Sequence, residues 1–220
     1  MESHLQGAAH VSPLPEEDLA EVEDIIEAAR GASGYVPTSL RLMARRPKLL
    51  RAFRALFSEI MPAPSTIPMQ AKWLLAHAVS TSAGCRYCQA HTAANGNKAG
   101  LASEKAAALL EFETNPLFDA RERALIGFGL AAGSVPNAVE CSHFDALRAH
   151  FSNDEIIELG AVVALFGWLN RWNDTFASDL EAAPRAFAAA HLSARGWEVG
   201  KHAPPGDGSS GDRAPPEKRR

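Results

Sequence analysis

Two cysteines three residues apart, Cys85 and Cys88, are the residues of this sequence best suited to chemistry, and His91 follows three residues later. A cysteine reacts as its thiolate, and a helix N-terminus lowers the thiol pKa because free N–H groups and peptide dipoles stabilise the anion. If a helix begins near Gly84, both cysteines lie on one face of its first turns, close enough to form a disulfide. His91 continues that face and can accept the thiol proton or return it to a leaving alkoxide. The spacing therefore predicts a redox-active dithiol with its own acid–base group.

Two other uses of the cysteines are compatible with the same spacing. Cys85, Cys88 and His91 could bind zinc, but a closed structural zinc site takes four ligands. This segment offers three on one helix, and the sequence contains no second CxxC pair and no HxxxH motif. Cysteines on an alanine-rich helix can also be plain core residues, because free cysteine is often buried. The pattern favours redox chemistry, and we expect no metal and no organic cofactor.

The composition is that of an ordinary folded protein. The 220 residues are 46% hydrophobic and 22% charged, with a formal net charge of -4. This length allows one sizeable core, and the negative charge argues against a nucleic-acid partner. No apolar run reaches the roughly 20 residues of a membrane span, and no secretory signal begins the sequence. We therefore expect a cytoplasmic protein without a membrane partner. In that reducing compartment, a CxxC pair indicates catalysis or metal binding.

The pattern along the chain predicts an all-α fold. Alanine is abundant, apolar residues recur three and four positions apart, and few segments alternate as strands do. Gly84, Gly100 and Gly133 stand where helices are expected to end, and Ser103 and Asn153 where helices are expected to begin. The predicted helices cover residues 16–30, 47–60, 68–82, 86–98, 103–112, 119–131, 137–151, 153–169 and 172–192.

The same pattern predicts how the chain is divided. We expect a flexible N-terminus over residues 1–11, helices that pack on the core over 12–66, and the main domain over 67–195. A disordered tail is expected over 201–220. From Pro204 onward, proline, glycine, serine and charged residues leave almost no apolar surface to offset the entropy cost of ordering.

The sequence around the dithiol resembles the carboxymuconolactone decarboxylase-like superfamily, in particular its alkylhydroperoxidase D-like (AhpD-like), peroxidase-related branch. The resemblance covers about residues 68–180. It is carried by HAVSTSAGCRYCQAHTA at 77–93, RERAL at 121–125, HFDALR at 143–148, NDEII at 153–157 and ALFGWLNRWND at 164–174.

This resemblance implies an AhpD-like helical bundle with the CxxC at the start of a central helix. It also implies that helices are buried between subunits, as in a homodimer or larger homo-oligomer. By the same resemblance, Cys88 attacks the peroxide and becomes a sulfenic acid, and Cys85 resolves it as a disulfide. A thiol or dithiol reductant must then restore the pair.

Two positions depart from the AhpD pattern. The relay glutamate of that protein, twelve residues before the first cysteine, corresponds to Trp73, and its relay histidine, four after the second cysteine, corresponds to Thr92. His77 lies one helical turn after Trp73, so we hypothesise that His77 and His91 share the proton transfer. The alternative is that His77 is a hydrogen-bonded core histidine.

The function predicted from the sequence is that of a thiol-dependent peroxidase that reduces hydroperoxides through Cys85 and Cys88. Three alternatives stay open. The chain could be a non-enzymatic helical oligomer with a redox-sensing dithiol, a thiol–disulfide oxidoreductase with another substrate, or a zinc-stabilised domain. Repeated turnover with a recycling reductant distinguishes the enzyme from a sensor, which is oxidised once.

Overall fold

The computed structural model describes residues 9–204, and within them the chain is all-α, with ten α-helices, short 3-10 turns and no β-strand. The helices are α1 (Glu23–Ser33), α2 (Thr38–Met43), α3 (Pro47–Ile60), α4 (Met69–Ser82), α5 (Arg86–Lys98), α6 (Ser103–Ala107), α7 (Ala120–Gly133), α8 (Cys141–Arg148), α9 (Asn153–Phe176) and α10 (Ala182–His191).

Most helix positions follow the sequence prediction. The bounds of α3 and α5 agree with it, and α4 and α7 agree within two residues. The first predicted helix is shorter, because two 3-10 turns precede α1, and the segment predicted as 103–112 divides into α6 and a 3-10 turn. The helix predicted over 137–151 is confined to α8, which covers 141–148. The short α2 was missed.

The clearest difference lies in α9. The polar block that begins at Asn170 predicts a helix end near residue 169, but α9 continues to Phe176 and ends at Ala177, which has a left-handed φ of 49°. Asn170 and Asn173 are buried and Arg171 is exposed, so the block lies within the helix, with its two asparagines on the inward face. The polar block therefore places two asparagine side chains in the interior of the bundle.

Helix α4 lies at the centre of the bundle. Eight of its fourteen residues are buried, and α5, α7 and α9 all pack against it. Gly129 and Gly133 of α7 allow the close contact between α7 and α4. A Cβ atom added at Gly133 would lie 2.7 Å from the carbonyl oxygen of Val79, so an alanine at this position would force the two helices apart.

Two groups of buried apolar side chains form the core. One joins α1, α2 and α3 to α4, α7 and α9, so the N-terminal helices share a core with the rest of the bundle. The other surrounds Cys85 and Cys88 and includes Tyr87, Leu180 and Trp197. The dithiol thus lies inside the protein, under residues that come late in the chain.

The first and last described residues pack against the bundle, although the sequence predicts flexible or disordered chain there. Ala9 is buried, and the backbone N–H of His10 donates to the carbonyl of Phe176, so residues 9–11 do not form a flexible arm. At the other end, His202 is fully buried in a 3-10 turn, although the tail was predicted from residue 201. The rest of both predicted termini, 1–8 and 205–220, lies outside the described residues.

Among residues 9–204, no helix is both long enough and apolar enough to cross a membrane.

Candidate active site

The dithiol lies at the turn between α4 and α5. Gly84 makes this turn with a φ of +73°, a conformation that side chains with a Cβ rarely adopt. Cys85 is the N-cap of α5, and its sulfur accepts a hydrogen bond from the backbone N–H of Cys88 at 3.4 Å. Both thiols are free and buried. The predicted placement of the pair at a helix start is therefore confirmed.

Cys85 faces two side chains that its own helix does not supply. His202 and Asp174 each bring a ligand-type atom within 4.8 Å of its sulfur. Burial works against ionisation of Cys85, but the neighbouring side chains of Cys88 and His202 outweigh it and lower the pKa of the thiol to about 6. The N-cap position acts in the same direction, because free N–H groups favour an anion.

Cys88, one turn further along α5, has different surroundings. Its sulfur accepts a hydrogen bond of 3.5 Å from the Nδ2 amide of Asn173, a residue of α9. Burial and the neighbouring Cys85 nevertheless raise the pKa of Cys88 well above its ordinary value. A second negative charge beside an existing thiolate is unfavourable, so Cys88 stays protonated while Cys85 is ionised.

His91 lies on α5 beyond Cys88, but its ring nitrogens are held by other groups. Nε2 lies 2.7 Å from Oε2 of Glu181, and Nδ1 lies 3.3 Å from the hydroxyl of Tyr35. The ring of Tyr87 packs on the imidazole at 4.3 Å between centroids. His91 is thus part of a histidine–carboxylate pair, whereas the sequence predicts an imidazole directed at the cysteines.

Glu181 is the acidic member of that pair. Burial alone would raise its pKa, but the charge and hydrogen bond of His91 and the backbone N–H of Thr38 overcome this and lower it. The hydroxyl of Tyr87 also donates to the same carboxylate at 3.0 Å. Glu181 therefore remains ionised and fixes the orientation of the imidazole.

His77 is buried on α4. Its Nδ1 lies 2.9 Å from the hydroxyl of Thr92, and its Nε2 lies 3.3 Å from the carbonyl of Ala106. Burial lowers the pKa of His77 to about 4. Thr92 in turn donates to the backbone carbonyl of Cys88, so the chain of hydrogen bonds reaches the peptide of Cys88 and not its sulfur. The relay shared by His77 and His91 stays a prediction.

Four residues of this site were missed: Asn173, Asp174, Glu181 and His202. The block from Asn170 to Asp174 did carry a signal, because polar residues after an apolar run can line a buried site. Glu181 and His202 carry none, because no sequence spacing connects them to the dithiol.

A helical bundle that buries a CxxC pair at a helix N-cap, with a lowered pKa at Cys85 and a raised pKa at Cys88, defines a helical dithiol protein. The comparisons with known proteins agree. The model of the carboxymuconolactone decarboxylase family matches residues 47–131. The structure of the debrominase Bmp8 is 34% identical, with a TM-score of 0.75 over 82% of this chain and 96% of that one.

A cysteine-to-alanine variant of Bmp8 in complex with 2,3,4-tribromopyrrole is 32% identical, with a TM-score of 0.76 over 83% of this chain and 98% of that one. This chain belongs to the carboxymuconolactone decarboxylase family. Membership places it among proteins that include enzymes.

Two peroxidase-related proteins share the fold. One, from Ralstonia eutropha JMP134 and described as having an alkylhydroperoxidase AhpD core, is 23% identical, with a TM-score of 0.68 over 84% of this chain and 97% of that one. Another, from Silicibacter sp. TM1040, is 22% identical, with a TM-score of 0.68 over 83% of this chain and 95% of that one. None of the curated proteins matches this sequence.

Proposed function

We propose that this protein is a dithiol reductase that transfers two electrons from Cys85 and Cys88 to a hydroperoxide. One observation carries the proposal: the Cys85 sulfur lies at a helix N-terminus, between the N–H of Cys88 and the buried imidazole of His202. A thiolate held in this way, with a protonated thiol one turn away, is the starting state of a two-cysteine cycle.

In the first step, His202 takes the proton of Cys85, and the thiolate attacks the terminal oxygen of the hydroperoxide. The O–O bond breaks, Cys85 becomes a sulfenic acid, and the alkoxide leaves as an alcohol with the proton from His202. Cys88 then attacks the Cys85 sulfur, which forms the disulfide and releases water. A dithiol reductant restores both thiols. This assignment exchanges the two cysteine roles that the family resemblance implies.

The pair formed by His91 and Glu181 serves the second half of this cycle. His91 follows Cys88 by three residues on α5, so their side chains share a face of the helix. Cys88 must lose its proton to attack the sulfenic acid, and Nδ1 of His91 is suited to accept it once it leaves the hydroxyl of Tyr35. Glu181 acts here as a positioning residue.

A test is hydroperoxide consumption by the full-length reduced protein with excess dithiothreitol. We expect repeated turnover that Cys85→Ser abolishes and that Cys141→Ser leaves unchanged, because Cys141 is exposed and lies on α8, outside the site. A single stoichiometric oxidation without turnover would instead support the redox sensor.

Reductive dehalogenation of a halogenated aromatic compound is the second candidate. It is favoured by the similarity to a debrominase at 34% identity. In this reaction the thiolate of Cys85 attacks the halogen, the carbon–halogen bond breaks, and the ring carbon takes a proton. Cys88 then displaces halide from Cys85, which leaves the disulfide. Bromide released from a polybrominated pyrrole measures this activity, and the ratio of the two initial rates decides between the candidates.

We also propose that the protein acts as a homo-oligomer. Leu56 and Ile157 expose 54% and 76% of their surfaces, and Trp168 exposes 38% while it stacks on Phe53 and Trp172. These side chains lie on α3 and α9, where a second copy of the chain could cover them. Sedimentation equilibrium tests the proposal, and a monomer at micromolar concentration would contradict it.

A further inference from the structure

Cys85, Asp174 and His202 form a cluster that combines three kinds of metal ligand. The Cys85 sulfur, one carboxylate oxygen of Asp174 and one ring nitrogen of His202 all lie within 4.8 Å of one another. In a tetrahedral zinc site, bond lengths of about 2.0–2.3 Å place neighbouring ligand atoms about 3.3–3.8 Å apart. The Nε2 atom of His202 and Oδ1 of Asp174 are already at 3.8 Å.

The imidazole of His202 is oriented as a metal ligand would be. Its Nδ1 lies 2.8 Å from the carbonyl oxygen of Ser178, which is an acceptor only, so Nδ1 carries the proton. In the neutral ring, Nε2 therefore presents its lone pair toward Cys85 and Asp174. His202 is fully buried, and Nε2 has no hydrogen-bond partner among the described residues. In most metal-binding histidines, the ring nitrogen that does not bind the metal donates such a hydrogen bond, which fixes the orientation of the ring.

The charges of the cluster also suit a divalent cation. Cys85 as a thiolate and Asp174 as a carboxylate bring two negative charges to the cluster, which a divalent cation balances. Lys201 pairs with the other carboxylate oxygen, Oδ2, at 2.8 Å, so Oδ1 is left to bind an ion. The side chain of Asp174 is 44% exposed, which gives an ion a path from solvent. Sulfur, nitrogen and oxygen ligands together favour zinc over magnesium or calcium.

We infer that the reduced protein binds one zinc ion through Cys85, Asp174 and His202. Binding replaces the thiol proton of Cys85, which is released to solvent, by a sulfur–zinc bond. Three protein ligands leave the fourth tetrahedral position to a water molecule. This site goes beyond the proposed function, because the bound metal occupies the attacking thiol and holds the dithiol reduced. It also differs from the zinc site considered from the sequence, which used His91.

The inference is tested with the full-length protein, reduced by a phosphine, freed of metal and titrated with Co²⁺. We expect one equivalent to bind, with a thiolate-to-metal charge-transfer band and the visible bands of tetrahedral Co²⁺, and Zn²⁺ to displace it. His202→Ala and Asp174→Asn should each weaken binding by roughly 100-fold or more. His91→Ala is the matched control, because it removes an imidazole near the dithiol but outside the cluster, and should bind Co²⁺ as the wild type does.

Two results would overturn the inference: unchanged Co²⁺ binding by a folded His202→Ala protein, or a Co²⁺ spectrum without the charge-transfer band. Wild-type protein oxidised to the disulfide provides a second measurement that needs no variant to fold. It should lose the Co²⁺ site, and equal binding before and after oxidation would contradict the assignment. No substrate is present in any of these experiments, so their outcome does not depend on whether the protein reduces a hydroperoxide.

Discussion

Cys85 and Cys88 are one helical turn apart in the same motif, yet the protein surrounds them differently. Cys85 caps α5 and faces His202 and Asp174, and its thiol pKa falls to about 6. Cys88 lies inside the helix and receives a single amide hydrogen bond, from Asn173, and its pKa is raised. The Cys88 thiol makes the largest contribution that lowers the Cys85 pKa, and His202, far along the chain, adds to it. The difference between the two cysteines therefore arises from the motif and from the tertiary fold together.

The largest expected effect on hydroperoxide consumption comes from replacing each of the two thiols in turn. Cys85→Ser should reduce hydroperoxide consumption to background, because it removes the ionised sulfur. Cys88→Ser should still react once and accumulate the Cys85 sulfenic acid, since only the resolving thiol is lost. Intact-protein mass spectrometry after one equivalent of hydroperoxide distinguishes the two variants. If Cys85→Ser forms the sulfenic acid and Cys88→Ser does not, the roles implied by the family resemblance are correct instead.

The next effect distinguishes the two imidazoles near the dithiol. His202→Ala should slow the first reaction of Cys85 by roughly 10²-fold, the lower end of the range for removal of an acid–base group. His91→Ala is the control and should change that step much less, because His91 is bonded to Glu181 and Tyr35 rather than to Cys85. The rate of oxidation, followed in the Cys88→Ser background, measures the first step alone. Equal rates for the two histidine variants would remove the distinction between the two sides of the site.

The sequence predicted the part of this site that is local in the chain. The CxxC pair, the helix that carries it and the glycine turn before it follow from spacing and residue type over residues 84–98. The sequence predicted a helix that stops at residue 169, before the polar block of α9, because burial of a helix face cannot be determined from one polar run. His202 lies 117 positions after Cys85, and only the fold brings its ring to the sulfur.

A smaller effect on turnover is expected at Glu181, whose carboxylate is hydrogen-bonded to His91. Glu181→Gln keeps the size of the side chain, removes its charge and replaces one acceptor oxygen by an amide donor. Turnover should fall on the order of tenfold, while the single-turnover oxidation of Cys85 should be unchanged, since His91 serves the later step. Comparing kcat with the single-turnover rate constant separates the two steps. An equal fall in both would place His91 in the first step and weaken the contrast between the thiols.

The smallest effect on activity is expected at His77, because neither of its ring nitrogens forms a hydrogen bond with a cysteine sulfur. His77→Asn should change turnover by less than about twofold, because the hydrogen bonds of His77 lead to Thr92 and Ala106 rather than to a thiol. Its effect should appear in stability instead.

The sign of that stability effect follows from the depressed pKa of His77. Burial lowers it to about 4 in the folded protein, whereas an unfolded histidine titrates near 6.5. Between these values the unfolded chain binds a proton that the folded one does not, so His77 stabilises the fold above pH 6.5 and loses this contribution as the pH falls toward 4. The slope approaches about 1.4 kcal/mol per pH unit and should be absent from His77→Asn in urea titrations at pH 7 and pH 5. A parallel pH dependence in both proteins, together with a large loss of turnover, would instead make His77 part of the proton relay and extend the site to α4.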